Sequence, residues 1–541
     1  MPTATLLTSF NRPLRVAQVH AGPALGCVGI TLCPGKWQAV SVSGSWQRDL
    51  ATDLDALQGW GAAAVVTLMP LDELQAVQAG GIGAACEARG MEWHHLPVQD
   101  VGVPDAAFET AWLYAGLRLR GHLRAGRNVL LHCRGGLGRS GTLAARLLVE
   151  MGWDAQQAIR AVRAQRPGAI ETRAQEAHVL RAQAAPADES RAARALGCIL
   201  GGAAGDAFGY AIEFDRWDAI CRQHGPLGLR EPVLRHEKLV VSDDTQMTLF
   251  TLEAMALTLP GQLPPLYGET LARPLQAACR RAYLRWGQTQ GAHPASRDAD
   301  TATLHFSPAM RQSRAPGNTC LSAVRAGATG TPTNPINHSK GCGAVMRTAP
   351  IGLIDGISPE LAMALGDAAG ALTHGHIDGW LPGGALSAMV RLIAQGEAIV
   401  PAAHHTLRLL ADHPRLDRAA VEASGTVRLL GAALELLAHG PDRAEIFSQL
   451  GEGWTGDEAL AIGVYAAGAA SSFEDAVRLA ANHDGDSDST ASIAGQLYGA
   501  RHGILAVPHA WVRRLDVLKD ALEVTRRFLD AQETLHRRPG Y

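Results

Sequence analysis

Asn128-Val129-Leu130-Leu131-His132-Cys133-Arg134-Gly135-Gly136-Leu137-Gly138-Arg139-Ser140-Gly141 runs from a short apolar stretch through a glycine-rich turn into the helical pattern Thr142–Glu150. A short apolar run bounded by a turn reads as a buried strand. Ala64-Val65-Val66-Thr67-Leu68 reads the same way, and Asp105–Leu123, opened by Pro104-Asp105, reads as a helix between the two. Strands alternating with helices over residues 28–180 predict an α/β domain with a central, mostly parallel sheet flanked by helices.

The turn carries chemistry. Arg139 follows Cys133 at a spacing that Cys279 and Arg285 repeat, but the second pair sits in a helical pattern with no glycine between its ends. Gly135, Gly136 and Gly138 allow successive N–H groups to converge, and the next helix aims its N-terminus at the same point. A phosphate-sized anion is expected there, cradled by Arg134, Gly135, Gly136, Leu137 and Gly138, with Arg139 holding two of its oxygens. The same field should favour a Cys133 thiolate, the nucleophile, with Ser140 donating to it or assisting its release. The bland reading is a buried structural cysteine beside a turn. A leaving oxygen needs an acid, and the loop Leu96–Asp105 offers two. Asp105 stands at an apparent helix start, an ordinary capping place, so Asp100 is preferred and Asp105 is the alternative.

This segment resembles the protein tyrosine and dual-specificity phosphatases, and most closely their kinase-associated group. Pro34-Gly35, Arg48-Asp49-Leu50 with Asp53-Leu54, the acid loop 97–105 and Arg166-Pro167-Gly168-Ala169-Ile170 are similar to that group as well. The resemblance spans roughly residues 25–180. It implies Cys133 as nucleophile, Arg139 as phosphate binder and Asp100 as general acid, acting on a phosphorylated substrate. The acid loop lacks the Trp-Pro-Asp form of many tyrosine-specific relatives, which leaves phosphotyrosine selectivity open.

A chain of 541 residues exceeds what one core usually supports. The apolar pattern lapses over Ala184–Ser190 and then turns helical, with Asp244–Leu257, Leu275–Trp286, Ser358–Leu372, Gly384–Gln395, Val427–Leu437 and Asp475–Ala481 as examples. The expected division is a phosphatase-like domain over 1–182, a linker over 183–192 and an all-α domain over 193–541. A formal net charge of −3 argues against general attraction to nucleic acid or an anionic membrane. The most apolar helical stretch, Leu196–Ile212, is broken by Asp206 and several glycines, a poor membrane span. The opening Met1–Thr5 lacks a basic region followed by an apolar core, so no signal peptide is expected. Nine cysteines without a Cys-x-x-Cys pair fit a reducing cytoplasm and no zinc cage.

Two distant segments gather oxygen donors at helix starts: Ser242-Asp243-Asp244-Thr245 and Asp484-Gly485-Asp486-Ser487-Asp488-Ser489. Either alone reads as helix capping. Together they suit Mg²⁺, Mn²⁺ or Ca²⁺ rather than zinc, and if they meet they suffice for two ions. They lie in a series similar to the ADP-ribosylglycohydrolase family: Gly201-x3-Gly205-Asp206-Ala207-x-Gly209-x3-Glu213, Ser242–Thr248, Tyr283-x-x-Trp286, Arg314–Cys320, Ser339–Pro350, Thr373–His376 and Gly485–Thr490. The series covers roughly residues 193–530 in the family's order.

That resemblance implies an all-α fold and a dinuclear Mg²⁺ centre, with Mn²⁺ as the alternative metal. By position its ligands are Ser242, Asp243, Asp244, Asp486, Asp488 and Ser489; serine stands where threonine is usual at the first and last. Glu213 falls on the acidic position that gates the site or acts on the substrate. Gly317-Asn318-Thr319 and Gly341-Cys342-Gly343 are expected as glycine-rich walls around ADP-ribose, with His374 and His376 lining the pocket. Cys320 and Cys342 read as buried small residues rather than nucleophiles. The expected whole is a bifunctional hydrolase acting on a phosphate monoester and on an ADP-ribosylated protein or small molecule. The rivals are a phosphatase whose second domain only binds ADP-ribose, and a redox or arsenate-reducing Cys133.

Overall fold

In the computed structural model, which describes residues 6–41, 44–261, 268–292, 303–413, 416–440 and 443–536, Asn128–His132 forms the central strand of a five-stranded sheet. Strand side chains alternate between faces. Val129 and Leu131 accordingly pack in one apolar cluster and Leu130 in another. Ala64 and Val66 join the first cluster and Val65 the second. Burial on both faces is why these strands read as unbroken apolar runs.

The strands are β1 (Ala17–His20), β2 (Cys27–Thr31), β3 (Trp37–Gln38), β4 (Trp46–Gln47), β5 (Ala62–Thr67), β6 (Glu92–His95) and β7 (Asn128–His132). The sheet order is β1-β2-β7-β5-β6; β1 runs antiparallel to β2, and the β2–β7, β7–β5 and β5–β6 pairs are parallel. β3 and β4 form a separate two-stranded ribbon. Parallel register sets Thr31 beside His132 and His132 beside Thr67. The loops after these residues therefore leave one end of the sheet together, where ligands bind in open α/β sheets. The helix after β7 starts at Gly138, ahead of the apolar pattern at Thr142, because glycine, arginine and serine open it.

The chain divides into two units, Met1–Glu189 and Ser190–Tyr541. The stretch 183–192 is not uniformly loose. The Ala185 N–H donates to the Glu150 carbonyl (2.9 Å), Glu189 accepts from Arg120 Nε (3.0 Å), and a helix begins at Ser190. Among the described residues the second unit's elements are α-helices and 3₁₀ turns. None is long and apolar enough to cross a membrane. Met1–Thr5, read above for a signal peptide, lie outside the described residues.

Two helices, Ser190–Gly209 and Ser487–His502, form the spine of the second unit. Gly197, Gly201, Gly205 and Gly209 recur every fourth residue and so share one face. A β-carbon on them would lie 2.2 Å from the Gly499 carbonyl oxygen, 2.6 Å from that of Gly495, 2.1 Å from that of Ala491 and 2.1 Å from that of Ser487. The backbones touch along this seam, which fixes the start of the second helix, and with it Asp486 and Asp488, against the first.

Candidate functional site

Each unit carries one constellation. In the first, Cys133 directly follows β7 and is 3% exposed, and its Sγ lies 3.4 Å from Ser140 Oγ. The loop behind it is tied down from several sides. Arg166 donates through Nε to the Gly136 carbonyl and through Nη2 to that of Gly135, both at 2.9 Å. Lys36 Nζ donates to the Arg134 carbonyl (3.4 Å) and lies 4.7 Å from the centre of the Trp46 ring. Burial, more than the nearby Arg134 and Arg48, pushes the Lys36 ammonium down to about 8.

The glycines divide by role. Gly136 has φ +70°, and a β-carbon there would lie 2.5 Å from the Thr31 carbonyl oxygen. At Gly138 a β-carbon would lie 2.2 Å from Glu171 Oε2. Gly135 has nothing within 4 Å, and at Gly138 only the ends of flexible side chains would have to move, so the backbone demands glycine at Gly136 alone.

Arg139 is buried and held in a plane. Its Nη1 and Nη2 donate to the two Glu73 carboxylate oxygens (2.6 and 2.9 Å), and Nη1 also reaches the Val98 carbonyl (3.1 Å). Asp100 Oδ1 is 3.1 Å from Nη2, and the Asp100 side chain is 69% exposed. Val101, beside it, has φ +53°, a strained conformation for a β-branched residue. Asp105 caps the helix Ala106–Arg124, accepting from the Phe108 N–H at 2.8 Å. Arg48 and Asp53 form a buried fork of two 2.7 Å bonds, and Asp53 also accepts from the Gly35 N–H (2.9 Å). This joins Pro34-Gly35 to Arg48–Asp53. His132 is buried against Thr67 Oγ1 (2.7 Å), and burial drops its pKa to about 3, so the ring is neutral. Glu73, in the first turn of the helix Leu71–Ala76, and Lys36, directly before β3, are single residues with no local sequence signal.

In the second unit a cavity of about 490 Å³ brings Glu213, Asp243, Asp244, Asp486, Asp488 and Ser489 together with Gly317, Asn318, Gly341, Cys342, Gly343 and His374. Ser242 is fully buried behind it and caps the helix Asp243–Thr258, accepting from the Asp244 N–H (3.2 Å). Ser489 Oγ donates to Asp244 Oδ2 (2.8 Å), linking the two distant segments. Asp206 had no role in the sequence reading. It is wholly buried and accepts from the N–H groups of Ser242 (2.8 Å) and Thr245 (3.0 Å) and from the Thr245 hydroxyl. It thus caps the carboxylate-bearing helix from a different helix.

The carboxylates repel one another. Burial first, then neighbouring carboxylates, raise Asp243 to about 8 and Glu213 to about 9. The same causes push Asp244 and Asp488 well above the ordinary range. Glu213 Oε2 is buried without a hydrogen-bond partner among the described residues. Oxygen donors crowded in this way fit hard divalent cations, whose charge removes the repulsion.

The walls differ in kind. A β-carbon on Gly343 would come within 2.7 Å of Cys320 Sγ and 3.1 Å of the His374 ring, so that glycine is needed for packing. At Gly317 and Gly341 a β-carbon would make only ordinary contacts, 4.0 Å from Cys320 Sγ and 3.5 Å from Ser339 Oγ respectively. Cys342 Sγ donates to Asp486 Oδ2 (2.8 Å), and burial raises its thiol well above the usual range. Cys320 is raised to about 11 by burial. His374 is 1% exposed, whereas His376 caps the helix Ile377–Ala394 and is not among the cavity's lining residues. At the rim, Phe214 (72% exposed) stacks on Trp454 (41% exposed), with ring centres 6.5 Å apart. Neither aromatic carried a recognisable signal in the sequence.

Comparison with known proteins follows the same division. Residues 187–538 match the family model for ADP-ribosylglycohydrolase, and residues 40–179 match the Swiss Army Knife protein, DSP-PTPase phosphatase domain. Cyclin-dependent kinase inhibitor 3 of Mus musculus is 33% identical over 162 residues, covering 29% of this chain and 71% of that protein. The Rattus norvegicus protein gives the same figures. Among solved structures, kinase associated phosphatase with its catalytic-site cysteine replaced by serine is 26% identical, covering 31% of this chain and 92% of that one (TM-score 0.28). An ADP-ribosylglycohydrolase-related protein complex is 20% identical, covering 64% and 100% (TM-score 0.43).

Proposed function

The chain belongs to the ADP-ribosylglycohydrolase family, with a dual-specificity phosphatase-like domain ahead of the glycohydrolase-like one, and from that premise we propose two hydrolytic reactions. The first unit cleaves a phosphate monoester. Cys133 Sγ attacks phosphorus while Arg139 holds two phosphoryl oxygens, and the leaving oxygen takes its proton from Asp100. Water then cleaves the S–P bond, giving up a proton to the Asp100 carboxylate and returning Cys133 as thiolate. Ser140, at 3.4 Å, donates to the departing sulfur. Asp105 serves as the helix cap, which favours Asp100 as the acid.

The second unit releases ADP-ribose from a protein or small-molecule acceptor. Asp243, Asp244, Asp486, Asp488 and Ser489 would hold two Mg²⁺ ions, with Ser242 adding its hydroxyl at the edge. Bound there, such ions orient the ribose hydroxyls and polarise the glycosidic centre. Glu213, raised to about 9 and with one oxygen unpartnered, handles the proton of the departing group. Gly317, Asn318, Gly341, Cys342, Gly343 and His374 line the space for ADP-ribose.

The observation that carries this reading is that Asp243 and Asp486, far apart in sequence, line one cavity. The test is ADP-ribose release by the full chain from ADP-ribosylated peptides and small molecules, with and without Mg²⁺, beside Asp486→Ala. Metal-dependent release lost in the variant supports the reading. ADP-ribose binding without release makes this unit a reader that delivers the phosphatase.

A further inference from the structure

We infer that Arg347 acts through Thr373 to hold His374 as an uncharged ring with its proton on Nε2, making it a fixed donor to an acceptor oxygen of the ligand in the carboxylate cavity. The ligand part rests on the ADP-ribose reading above; the ring's tautomer does not.

The chain of bonds runs in one direction. Arg347 Nη2 donates to Thr373 Oγ1 at 2.7 Å. A guanidinium has donors only, so this bond occupies a hydroxyl lone pair and leaves the hydroxyl proton to be placed. Two acceptors stand near it: His374 Nδ1 at 2.8 Å and the Gly370 carbonyl at 3.4 Å. The nearer takes the proton, because hydrogen bonds weaken toward the longer distance. Nδ1 then accepts, and a neutral imidazole that accepts at Nδ1 carries its hydrogen on Nε2.

The ring is neutral for an independent reason: burial, then the Arg347 charge, push His374 down to about 3. The relay is also rigid. Arg347 is fully buried, donates to the carbonyls of Gly343 (2.7 Å) and Ala369 (3.3 Å), and lies 4.2 Å from the centre of the Tyr283 ring.

Nε2 faces the glycine wall. It lies 3.6 Å from where a β-carbon of Gly341 would stand and 3.3 Å from that of Gly343. Among the described residues it has no hydrogen-bond partner, and the ring lines the cavity. A neutral N–H stays available for the ligand, and the ligand group it meets carries an acceptor oxygen rather than a cation. Arg347 and Thr373 are positioning residues in this scheme.

The experiment is long-range ¹H–¹⁵N spectroscopy of the full chain labelled at histidine, with the His374 signals assigned by their loss in His374→Gln. ADP-ribose affinity is measured on the same samples. Wild type is expected to give the Nε2–H pattern. Thr373→Ser should keep it, whereas Thr373→Val should give mixed tautomers and bind ADP-ribose on the order of tenfold more weakly. Arg347→Lys keeps a donor and should keep the pattern; if Arg347→Met fails to fold, the two Thr373 variants still decide. An Nδ1–H ring in wild type, or a tautomer unchanged in Thr373→Val, overturns the inference. If the tautomer behaves as stated but wild type binds no ADP-ribose, the relay stands and the cavity's assigned ligand falls.

Discussion

The two units solve opposite electrostatic problems with the same device, a helix N-terminus fed by a tight loop. In the first, the loop 133–138 suits an anion on the proposed reading, and its surroundings are cationic: Arg139, Lys36 and Arg166. In the second, the helices starting at Asp243 and Ser487 carry carboxylates at their starts, and the neighbours are more carboxylates. The first unit neutralises surplus charge internally, with Glu73 forked onto Arg139. The second leaves it standing, and burial together with the neighbouring carboxylates raises the carboxyl pKa values. On the proposed reading, a site poised for a transient anion has its cation held in place by protein, whereas a site for divalent cations is left with a charge that protons or the ions remove.

The contrast is open to experiment. The largest effect expected is in Cys133→Ser, which should abolish phosphomonoester cleavage in a chromogenic assay and leave ADP-ribose release unchanged. Loss of both would mean that the units are not chemically separate. Next, Asp100→Asn should slow phosphate release by about 10²–10⁴-fold if it is the acid. Asp105→Ala should instead cost about 1 kcal/mol of stability through the lost cap, with a near-normal rate; the reverse outcome exchanges their roles.

Third, Gly205→Ala should cost about 1–3 kcal/mol in thermal unfolding by prying the spine apart, with metal affinity falling in titration calorimetry. The first unit's activity should be indifferent to it.

The smallest effect is in pH. Asp243 and Glu213 are raised above ordinary carboxyl values, so their protonated forms favour the fold. The stability they contribute is complete below about 4 and is lost as pH rises through about 8 to 9. Lys36 is depressed to about 8, so its contribution is complete above about 10 and is lost as pH falls through about 8. In chelator, calorimetry from pH 7 to 9.5 should show the second unit weakening while the first gains slightly. Mg²⁺ should flatten the second slope, and a slope that Mg²⁺ leaves unchanged breaks the contrast.

The sequence was informative where function is contiguous. The segment 128–141 holds strand, loop, cysteine and arginine in one stretch, so its local folding could be argued directly. Glu73 and Lys36 were illegible because each reaches the loop from a different sheet connection, and neither stands in a pattern that differs from an ordinary surface charge. The carboxylate pair was legible only through resemblance. Spacing alone reads each half as a helix cap, and Ser242 does cap. Asp206 shows the limit: its place among the glycines was visible, but its task, satisfying the N–H groups of a helix 36 residues on, belongs to tertiary structure. Only β5 and β7 were legible as strands; of the others, β1 and β6 carry too little apolar sequence in Ala17–His20 and Glu92–His95 to announce themselves.

The glycine seam has a bearing on how this protein can change. Where backbone meets backbone there are no rotamers to adjust, so the spine tolerates almost no drift and works as a fixed ruler for the acids at its end. New substrates would have to be accommodated at the mouth, where Phe214 and Trp454 stand in solvent and exchange costs the scaffold little.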